Sequence, residues 1–254
     1  MQIDGQGVVV AGGASGLGEA TARHFAALGA NVSILDFNGT RAEQVASEIG
    51  GYAAQCDVND EQAVATGINA AITHFGQAPR IAINCAGIGV AARIVGREGK
   101  ISTDLFRKVI EVNLIGTYNV MTYAAQAMID LPPLESGERG VIINTASAAY
   151  EDGQIGQAAY AASKGGIASM CLPAAREFAR MGVRVTAIAP GLFNTPMMES
   201  LPQETVDGII SNIPFPHRLG APDEFARLAE HIAANAYLNG TVIRLDGAVR
   251  LPPR

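Results

Sequence analysis

Short apolar runs rich in β-branched residues alternate along the chain with longer segments in which apolar residues recur every three or four positions. The short runs predict buried strands, and the longer segments predict amphipathic helices. The predicted strands span residues 7–11, 31–36, 52–57, 80–84, 139–145, 183–189 and 241–246. This alternation predicts an α/β fold: one doubly wound domain over residues 1–254, with a seven-stranded parallel sheet and helices on both faces.

Several helices and one irregular segment can be placed between these strands. Asn59 and Gln62 have the spacing of a capping box, and Pro222 precedes two acidic residues, an order that favours a helix start. The longest helix is predicted over residues 102–128. Residues 192–216 are rich in Pro and Met without a regular pattern, so they are interpreted as a lid over a pocket.

Composition narrows the class of protein. The 254 residues are 48% hydrophobic and 17% charged, as expected of a compact domain with a sizeable core, and the net charge of −6 argues against a non-specific nucleic-acid binder. The three cysteines are widely spaced and lie in no metal-binding pattern, so we expect reduced thiols and no metal. No apolar run approaches the roughly 18–20 residues that span a bilayer, and no basic leader precedes the first strand. A cytoplasmic protein with no membrane partner is expected.

A glycine-rich turn joins the first strand to the first helix. Residues 12–18 read G-G-A-S-G-L-G, which allows close backbone approach to a pyrophosphate at a helix N-terminus. Asp36 ends the second strand 18 residues after Gly18, where a carboxylate can accept hydrogen bonds from ribose hydroxyls and repel a 2′-phosphate. Phe37 follows in place of a basic residue, so NAD is favoured over NADP. In the alternative interpretation, Asp36 only caps the next turn.

The stretch 147–164 carries the strongest candidate chemistry. Ser147 follows an apolar run, Tyr160 comes 13 residues later, and Lys164 follows four residues after that. Residues four apart share one helix face, so Lys164 places a cation beside the Tyr160 phenol. The charge favours the phenolate, which can exchange a proton with an alcohol oxygen. A buried tyrosine and a solvated lysine on an ordinary helix have the same spacing, which leaves both interpretations open.

Residues 89–103 interrupt the alternation and are predicted to form a surface loop. The loop carries Arg93, Arg97 and Lys100. The simpler interpretation is a solvated loop whose charges do little, and composition favours it. The alternative is a basic lip for an anionic part of a substrate.

Taken in order, these motifs resemble the short-chain dehydrogenase/reductase family over essentially the whole chain. The matching residues are G-G-A-S-G-L-G at 12–18, C-D-V at 56–58, N-C-A-G at 84–87, Asn113, Ser147, Tyr160, Lys164 and P-G-L-F-N-T at 190–195. The chain departs from the family motifs at two positions: Ala11 replaces the Thr that usually opens the glycine motif, and Cys85 replaces the second Asn of N-N-A-G. Each replacement changes a local hydrogen bond and not the fold. The resemblance implies a Rossmann-type fold and an enzyme that uses a nicotinamide cofactor.

The resemblance also implies a role for each matching residue. Tyr160 would be the acid/base, Lys164 would lower its pKa and bind the nicotinamide ribose, Ser147 would hydrogen-bond the reacting oxygen, and Asn113 would hold a proton-relaying water. Ser147 and Tyr160 would thus bind substrate. Tyr160 and Lys164 would also contact the cofactor. The resemblance implies further cofactor contacts along the chain: Gly12, Ser15, Gly16, Leu17 and Gly18 at the pyrophosphate, Asp36 at the adenosine ribose, and Asp57 and Val58 at the adenine. Cys85 and Gly87 would lie near the ribose, and Pro190, Phe193 and Thr195 at the nicotinamide.

Within the family, the chain is most similar to the type II 3-hydroxyacyl-CoA dehydrogenases, a group also described as 17β-hydroxysteroid dehydrogenase type 10. The supporting stretches include P-F-P-H-R-L-G and N-G-T-V-I-R-L-D-G-A-V-R. The resemblance implies NAD-dependent interconversion of 3-hydroxyacyl-CoA and 3-oxoacyl-CoA in fatty acid metabolism, and it strengthens the basic-lip interpretation. The apolar lid residues Met197, Met198 and Leu201 would equally accept a steroid or another secondary alcohol.

Two further expectations follow from the family. Its members usually form homotetramers through the helices that carry Asn113 and Tyr160. Some relatives serve as subunits of RNA-processing complexes, so an NAD-bound scaffold without catalysis is an alternative. The complete set of candidate catalytic residues favours an enzyme, and the negative charge favours no nucleic-acid partner.

Overall fold

The computed structural model describes residues 1–199 and 203–253. Seven strands form one parallel sheet in the order β3-β2-β1-β4-β5-β6-β7. The strands are β1 (Gly7–Ala11), β2 (Asn31–Asp36), β3 (Tyr52–Gln55), β4 (Pro79–Asn84), β5 (Gly140–Thr145), β6 (Val183–Pro190) and β7 (Val242–Leu245). The predicted doubly wound sheet is confirmed.

Helices cover both faces of the sheet. They are α1 (Gly16–Ala27), α2 (Gly39–Ile49), α3 (Glu61–Phe75), α4 (Thr103–Ile110), α5 (Gly116–Ile129), α6 (Ala158–Phe178), α7 (Pro196–Glu199), α8 (Gln203–Ile210) and α9 (Pro222–Ala234). Successive strand residues point to opposite faces, so Val9 joins a core with α3, α5 and α6, whereas Val8 and Val10 join a core with α1, α2 and α9. No helix in the described ranges is long and apolar enough to cross a membrane.

The strand order reverses between β1 and β4, which places a crevice at their carboxyl ends, where ligands bind in sheets of this kind. The chain leaves β1 at Gly12, whose N–H donates to the Leu35 carbonyl oxygen at 2.7 Å. It leaves β4 at Cys85, whose N–H donates to the Ala11 carbonyl oxygen at 2.8 Å. The glycine turn and the N-C-A-G stretch therefore meet at this crevice.

The single helix predicted over residues 102–128 is interrupted. It begins at Thr103, and a π-helical turn over Glu111–Ile115 separates α4 from α5. Asn113 lies in that turn and is fully buried. Isolated π turns are frequent at functional sites, because the extra residue redirects side chains that a regular helix would place elsewhere.

The region after β3 also differs from the prediction. The strand ends at Gln55, and Asp57 instead forms a turn in which its Oδ1 accepts from the Asn59 N–H at 3.0 Å. The predicted capping box is wrong. Asp60 caps α3, and its Oδ1 accepts from the N–H groups of Gln62 and Ala63 at 2.9 and 3.2 Å.

The lid segment has more regular structure than predicted. Helices α7 and α8 occupy much of it, with Glu204 in the first turn of α8, where a negative charge favours the helix N-terminus. The side chain of Gln203 donates to the Asp207 carboxylate one turn later at 2.8 Å. Residues 200–202, which include Leu201, lie outside the described residues.

Candidate active site

Glycines shape the turn that follows β1. Gly12 has a φ of 73°, and a Cβ added there would lie 2.5 Å from the Ala86 nitrogen. A Cβ on Gly18 would lie only 2.0 Å from the Gly12 carbonyl oxygen. Side chains at these two positions are therefore excluded by backbone, and the turn packs against the N-C-A-G stretch.

The N-terminus of α1 opens toward this turn. Ser15 is the N-cap residue and is exposed, and its side chain makes no capping hydrogen bond. Gly16, at φ 53°, begins the helix, and a Cβ there would lie 3.6 Å from Thr195 Cγ2. The first N–H groups of α1 thus face a space bordered by the P-G-L-F-N-T stretch, which fits a pyrophosphate. Leu17 is partly buried and packs against the core beneath α1, α2 and α9.

Asp36 connects the glycine turn to α2. Its Oδ2 accepts from the Ala14 N–H at 2.9 Å, and its Oδ1 accepts from the Asn38 N–H at 2.9 Å. The second contact is the turn cap that the alternative interpretation described. The first contact places the carboxylate at the glycine turn, where the ribose interpretation requires it.

The predicted adenine residues lie beyond β3 and are held by a residue that the sequence did not single out. Val58 is buried against Gly116, whereas Asp57 is exposed. The amide nitrogen of Asn119, in α5, donates to the Val58 carbonyl oxygen at 2.8 Å. An amide side chain directly before the apolar pair Val120 and Met121 was the available signal for Asn119.

The end of β5 holds the candidate lysine. Lys164 is buried, and its Nζ donates to the Thr145 carbonyl oxygen at 2.7 Å. The Thr145 hydroxyl lies 3.7 Å from Cys85 Sγ. Burial raises the pKa of the Cys85 thiol to about 11 and lowers the pKa of Lys164 to about 8. Cys85 therefore stays a neutral thiol at neutral pH.

Asn113 fixes the chain that follows β4. Its Oδ1 accepts from the Ile88 N–H at 2.8 Å, and its Nδ2 donates to the Ile88 carbonyl oxygen at 3.0 Å and to Ser163 Oγ at 3.1 Å. A Cβ on Gly87 would lie 3.2 Å from that Oδ1 and 3.7 Å from Lys164 Nζ. Asn113, Gly87 and Lys164 are thus brought together, whereas the water relay proposed for Asn113 stays a prediction.

Tyr160 and Lys164 share a face of α6, as predicted. Lys164 Nζ lies 5.8 Å from the centroid of the Tyr160 ring. Burial nevertheless raises the pKa of Tyr160, and hydrogen bonding to Ser147 offsets this only in part. The net shift of the Tyr160 pKa is therefore opposite to the predicted lowering, because burial disfavours the phenolate, and a lowering effect of Lys164 on this pKa stays a prediction.

Ser147 stands just beyond β5 and is largely buried. Its Oγ accepts from the Ala149 N–H at 3.2 Å, which caps a short 3₁₀ turn over Ala148–Tyr150. The chain then leads to α6, which carries Tyr160 and Lys164. The end of the sheet thereby fixes Ser147 in front of the helix that carries Tyr160 and Lys164.

The segment that follows β6 is also fixed. Pro190 is the last residue of β6 and is buried. Phe193 is buried with its ring against Gly220, where a Cβ would lie 2.8 Å from the ring. Thr195 borders the glycine turn through its contact with Gly16. Thr195 is thus placed beside the glycine turn, whereas contacts of Pro190 and Phe193 with a nicotinamide stay predictions.

An ion cluster around Arg244, which sequence reasoning missed, anchors the chain between Ser147 and Tyr160. The Arg244 guanidinium lies 2.5 Å from Glu151, 2.7 Å from Asp152 and 2.7 Å from Asp246. Arg244 is the polar member of β7. Asp246 lies two residues further along the chain, whereas Glu151 and Asp152 come from a distant segment, so no local pattern pairs them with Arg244.

A cavity of about 410 Å³ adjoins the same segment. Arg93 and Ile94 form one wall, and residues 153–158 together with Ala161 form the other. The Ala92 N–H donates to the Gly156 carbonyl oxygen at 2.8 Å, which ties the two walls together. Arg97 and Lys100 are exposed and do not line this cavity. In the described ranges no group of His, Cys, Asp or Glu could hold a metal ion.

Known proteins are similar to this chain in sequence and fold. Residues 6–205 match the family model described as short chain dehydrogenase. The chain is 47% identical to human 3-hydroxyacyl-CoA dehydrogenase type-2 and 46% identical to the bovine protein of that name, with 99% of this chain and 97% of each relative covered. The crystal structure of 3-hydroxyacyl-CoA dehydrogenase type-2 from Mycobacterium avium has a TM-score of 0.94 and 43% identity, with 100% and 98% of the two chains covered.

Proposed function

We propose that this chain, which belongs to the short-chain dehydrogenase family, interconverts 3-hydroxyacyl-CoA and 3-oxoacyl-CoA with NAD. One observation carries the proposal: Ser147, Tyr160 and Lys164 converge at the crevice that the glycine turn borders. Relatives at 46–47% identity bear the name of this activity. Family membership makes the chain an oxidoreductase, whereas the acyl-CoA substrate and the preference for NAD are parts of the proposal.

The cofactor, Tyr160 and Ser147 have separate roles in the proposed oxidation of the 3-hydroxyl group. When bound, NAD supplies the acceptor for the hydride that leaves the hydroxyl carbon. Tyr160 takes the hydroxyl proton, and Ser147 donates a hydrogen bond to the same oxygen. Because burial raises the pKa of Tyr160 in the protein alone, phenolate formation needs a further positive charge nearby. The oxidised nicotinamide carries such a charge, so we propose that Tyr160 becomes an effective base only in the cofactor complex.

Asp36 supports NAD over NADP. Its carboxylate accepts two backbone hydrogen bonds, from Ala14 and Asn38, which orient it at the glycine turn. A 2′-phosphate in the same place would meet a fixed negative charge, whereas ribose hydroxyls would donate to it.

Arg93 is the residue of the basic loop that the geometry favours as a contact for the CoA phosphates. It lines the cavity beside the segment between Ser147 and Tyr160, whereas Arg97 does not. An Arg93→Gln variant should raise the KM for acetoacetyl-CoA several-fold, and Arg97→Gln serves as the matched control. Equal KM values for the wild type and Arg93→Gln would remove Arg93 from the site.

The proposed activity is tested by following the absorbance of NADH in the presence of acetoacetyl-CoA. The wild type should oxidise NADH rapidly and NADPH slowly. Tyr160→Phe should lose the activity, and Tyr237→Phe, which removes a hydroxyl from a fully exposed ring, should keep it. No turnover by a wild type that binds NADH would refute the acyl-CoA substrate. Hydroxysteroids and other secondary alcohols would then be tested, because the cavity wall is largely apolar.

We also propose a cytoplasmic homotetramer. The helices near the site expose Phe106, Ile115, Tyr118 and Leu172, each 43% or more accessible. Apolar residues concentrated in this way support packing against other copies. The three cysteines are free thiols, which suits a reducing compartment. Light scattering should give a mass of four chains.

The alternative role in RNA processing is tested by a gel shift with tRNA at physiological salt. We expect no complex, and a stable complex would favour the RNA-processing role.

A further inference from the structure

Two arginines share one glutamate where α1 and α2 meet. Glu19 lies in the first turn of α1, and both of its carboxylate oxygens accept from Arg41 Nη2, at 2.8 and 2.9 Å. Glu19 Oε1 also accepts from Arg23 Nε and Nη2, at 3.0 and 2.9 Å. Arg23 reaches a second carboxylate, Glu48, at 2.5 Å. Among the described residues, Glu19 is the only carboxylate that pairs with Arg41.

This cluster lies beside Asp36. The Asp36 carboxylate is held between the two helices, by the Ala14 N–H just before α1 and by the Asn38 N–H just before α2. Asn38 in turn accepts from the Arg41 N–H at 3.1 Å. The pair of Glu19 and Arg41 therefore bridges the same two helix starts as Asp36, one turn further along each helix.

The position of these arginines matters for the adenosine ribose. Arginine forms directed hydrogen bonds to phosphate groups, so a free Arg41 beside the ribose would favour a cofactor with a 2′-phosphate. The Arg41 side chain is 36% accessible and the Glu19 side chain is 19% accessible. Arg41 thus has room to reorient toward a ligand, and Glu19 holds it in place.

We propose that Glu19 is a specificity-determining residue, which keeps Arg41 from a 2′-phosphate and adds a second negative charge behind Asp36. The inference rests on the proposed use of NAD. It assigns cofactor choice to a side chain in α1 in addition to the carboxylate at the end of β2. Arg23 contributes less, because Glu48 holds it independently of Glu19.

The test is the ratio of the Kd values for NADPH and NADH, measured by cofactor fluorescence with the full chain. Glu19→Gln should lower this ratio about tenfold, since it frees one guanidinium and removes one negative charge. The improvement in NADPH binding by Glu19→Gln should shrink at high salt, because salt screens the interaction between the guanidinium and the phosphate. In the double variant Glu19→Gln/Arg41→Gln, the ratio should return most of the way to the wild-type value.

Glu48→Gln is the matched control. It makes the same charge change in the same cluster but leaves the contact between Glu19 and Arg41 in place. An unchanged ratio in Glu48→Gln together with a lowered ratio in Glu19→Gln would support the inference. A ratio unchanged in Glu19→Gln, or lowered equally in both variants, would overturn it while the proposed function stands. A wild type that binds NADPH as tightly as NADH would overturn both.

Discussion

We expect the buried charge of Lys164 to lower the free energy of unfolding of the protein at neutral pH. Its ammonium group is buried, its Nζ bonds the Thr145 carbonyl oxygen, and burial lowers its pKa from 10.5 to about 8. In the unfolded chain the ordinary value returns. Between pH 8 and pH 10.5 the unfolded chain therefore binds more protons than the folded protein, so the free energy of unfolding rises with pH across this window.

The magnitude follows from the two pKa values. The destabilisation is fully present below pH 8 and amounts to about 3 kcal/mol, because each pH unit between the folded and unfolded pKa values corresponds to roughly 1.4 kcal/mol. It fades as the pH approaches 10.5. Between pH 7 and pH 9.5 the wild type should gain about 2 kcal/mol of stability relative to a Lys164→Met variant, whose side chain does not titrate. The lost bond to Thr145 contributes equally at both pH values and does not affect this difference.

Urea unfolding at pH 7 and pH 9.5 measures the effect. Lys108→Met, a substitution of an exposed lysine, is the control and should follow the wild type at both pH values. Lys164→Met should also lose turnover while it keeps its fold. Parallel pH dependence of the wild type and Lys164→Met would refute the argument, because it would show that the folded protein does not shift the pKa of Lys164.

Two further substitutions test the construction of the site. Gly18→Ala should weaken NADH binding at least tenfold, because its Cβ would lie 2.0 Å from the Gly12 carbonyl oxygen. Gly165→Ala is the control: its Cβ would meet open space, so it should leave NADH binding unchanged and stabilise α6 by about 0.5–1 kcal/mol. Equal effects of the two substitutions on NADH binding would contradict this prediction. Arg244→Gln releases Asp152 and should lower kcat/KM for acetoacetyl-CoA about tenfold with little change in NADH affinity, and Arg244→Lys should restore part of it. A parallel loss of NADH affinity would indicate general unfolding instead.

The sheet, most helices and the glycine turn could be predicted, because they depend on local periodicity and on glycine positions that neighbouring residues reveal. The π turn at Asn113 could not be predicted, since it depends on contacts with Ile88 and Ser163 from other parts of the chain. The direction of the Tyr160 pKa shift was missed for a related reason. Sequence spacing gives the distance to a cation but not the depth of burial, and here burial dominates.

The geometry of the site depends on the register between β4 and β5. Asn84 and Asn144 are partners in that register, and the Asn84 amide donates to Asn144 Oδ1 at 2.6 Å in a fully buried environment. A slip of β5 by one residue would turn the Asn144 amide to the opposite face and leave the two amides buried without each other. The next residue along β5 is Thr145, whose carbonyl oxygen holds Lys164. The buried amide pair therefore fixes the strand end on which the lysine depends, and a substitution such as Asn144→Leu should disturb activity through strand register without touching cofactor or substrate.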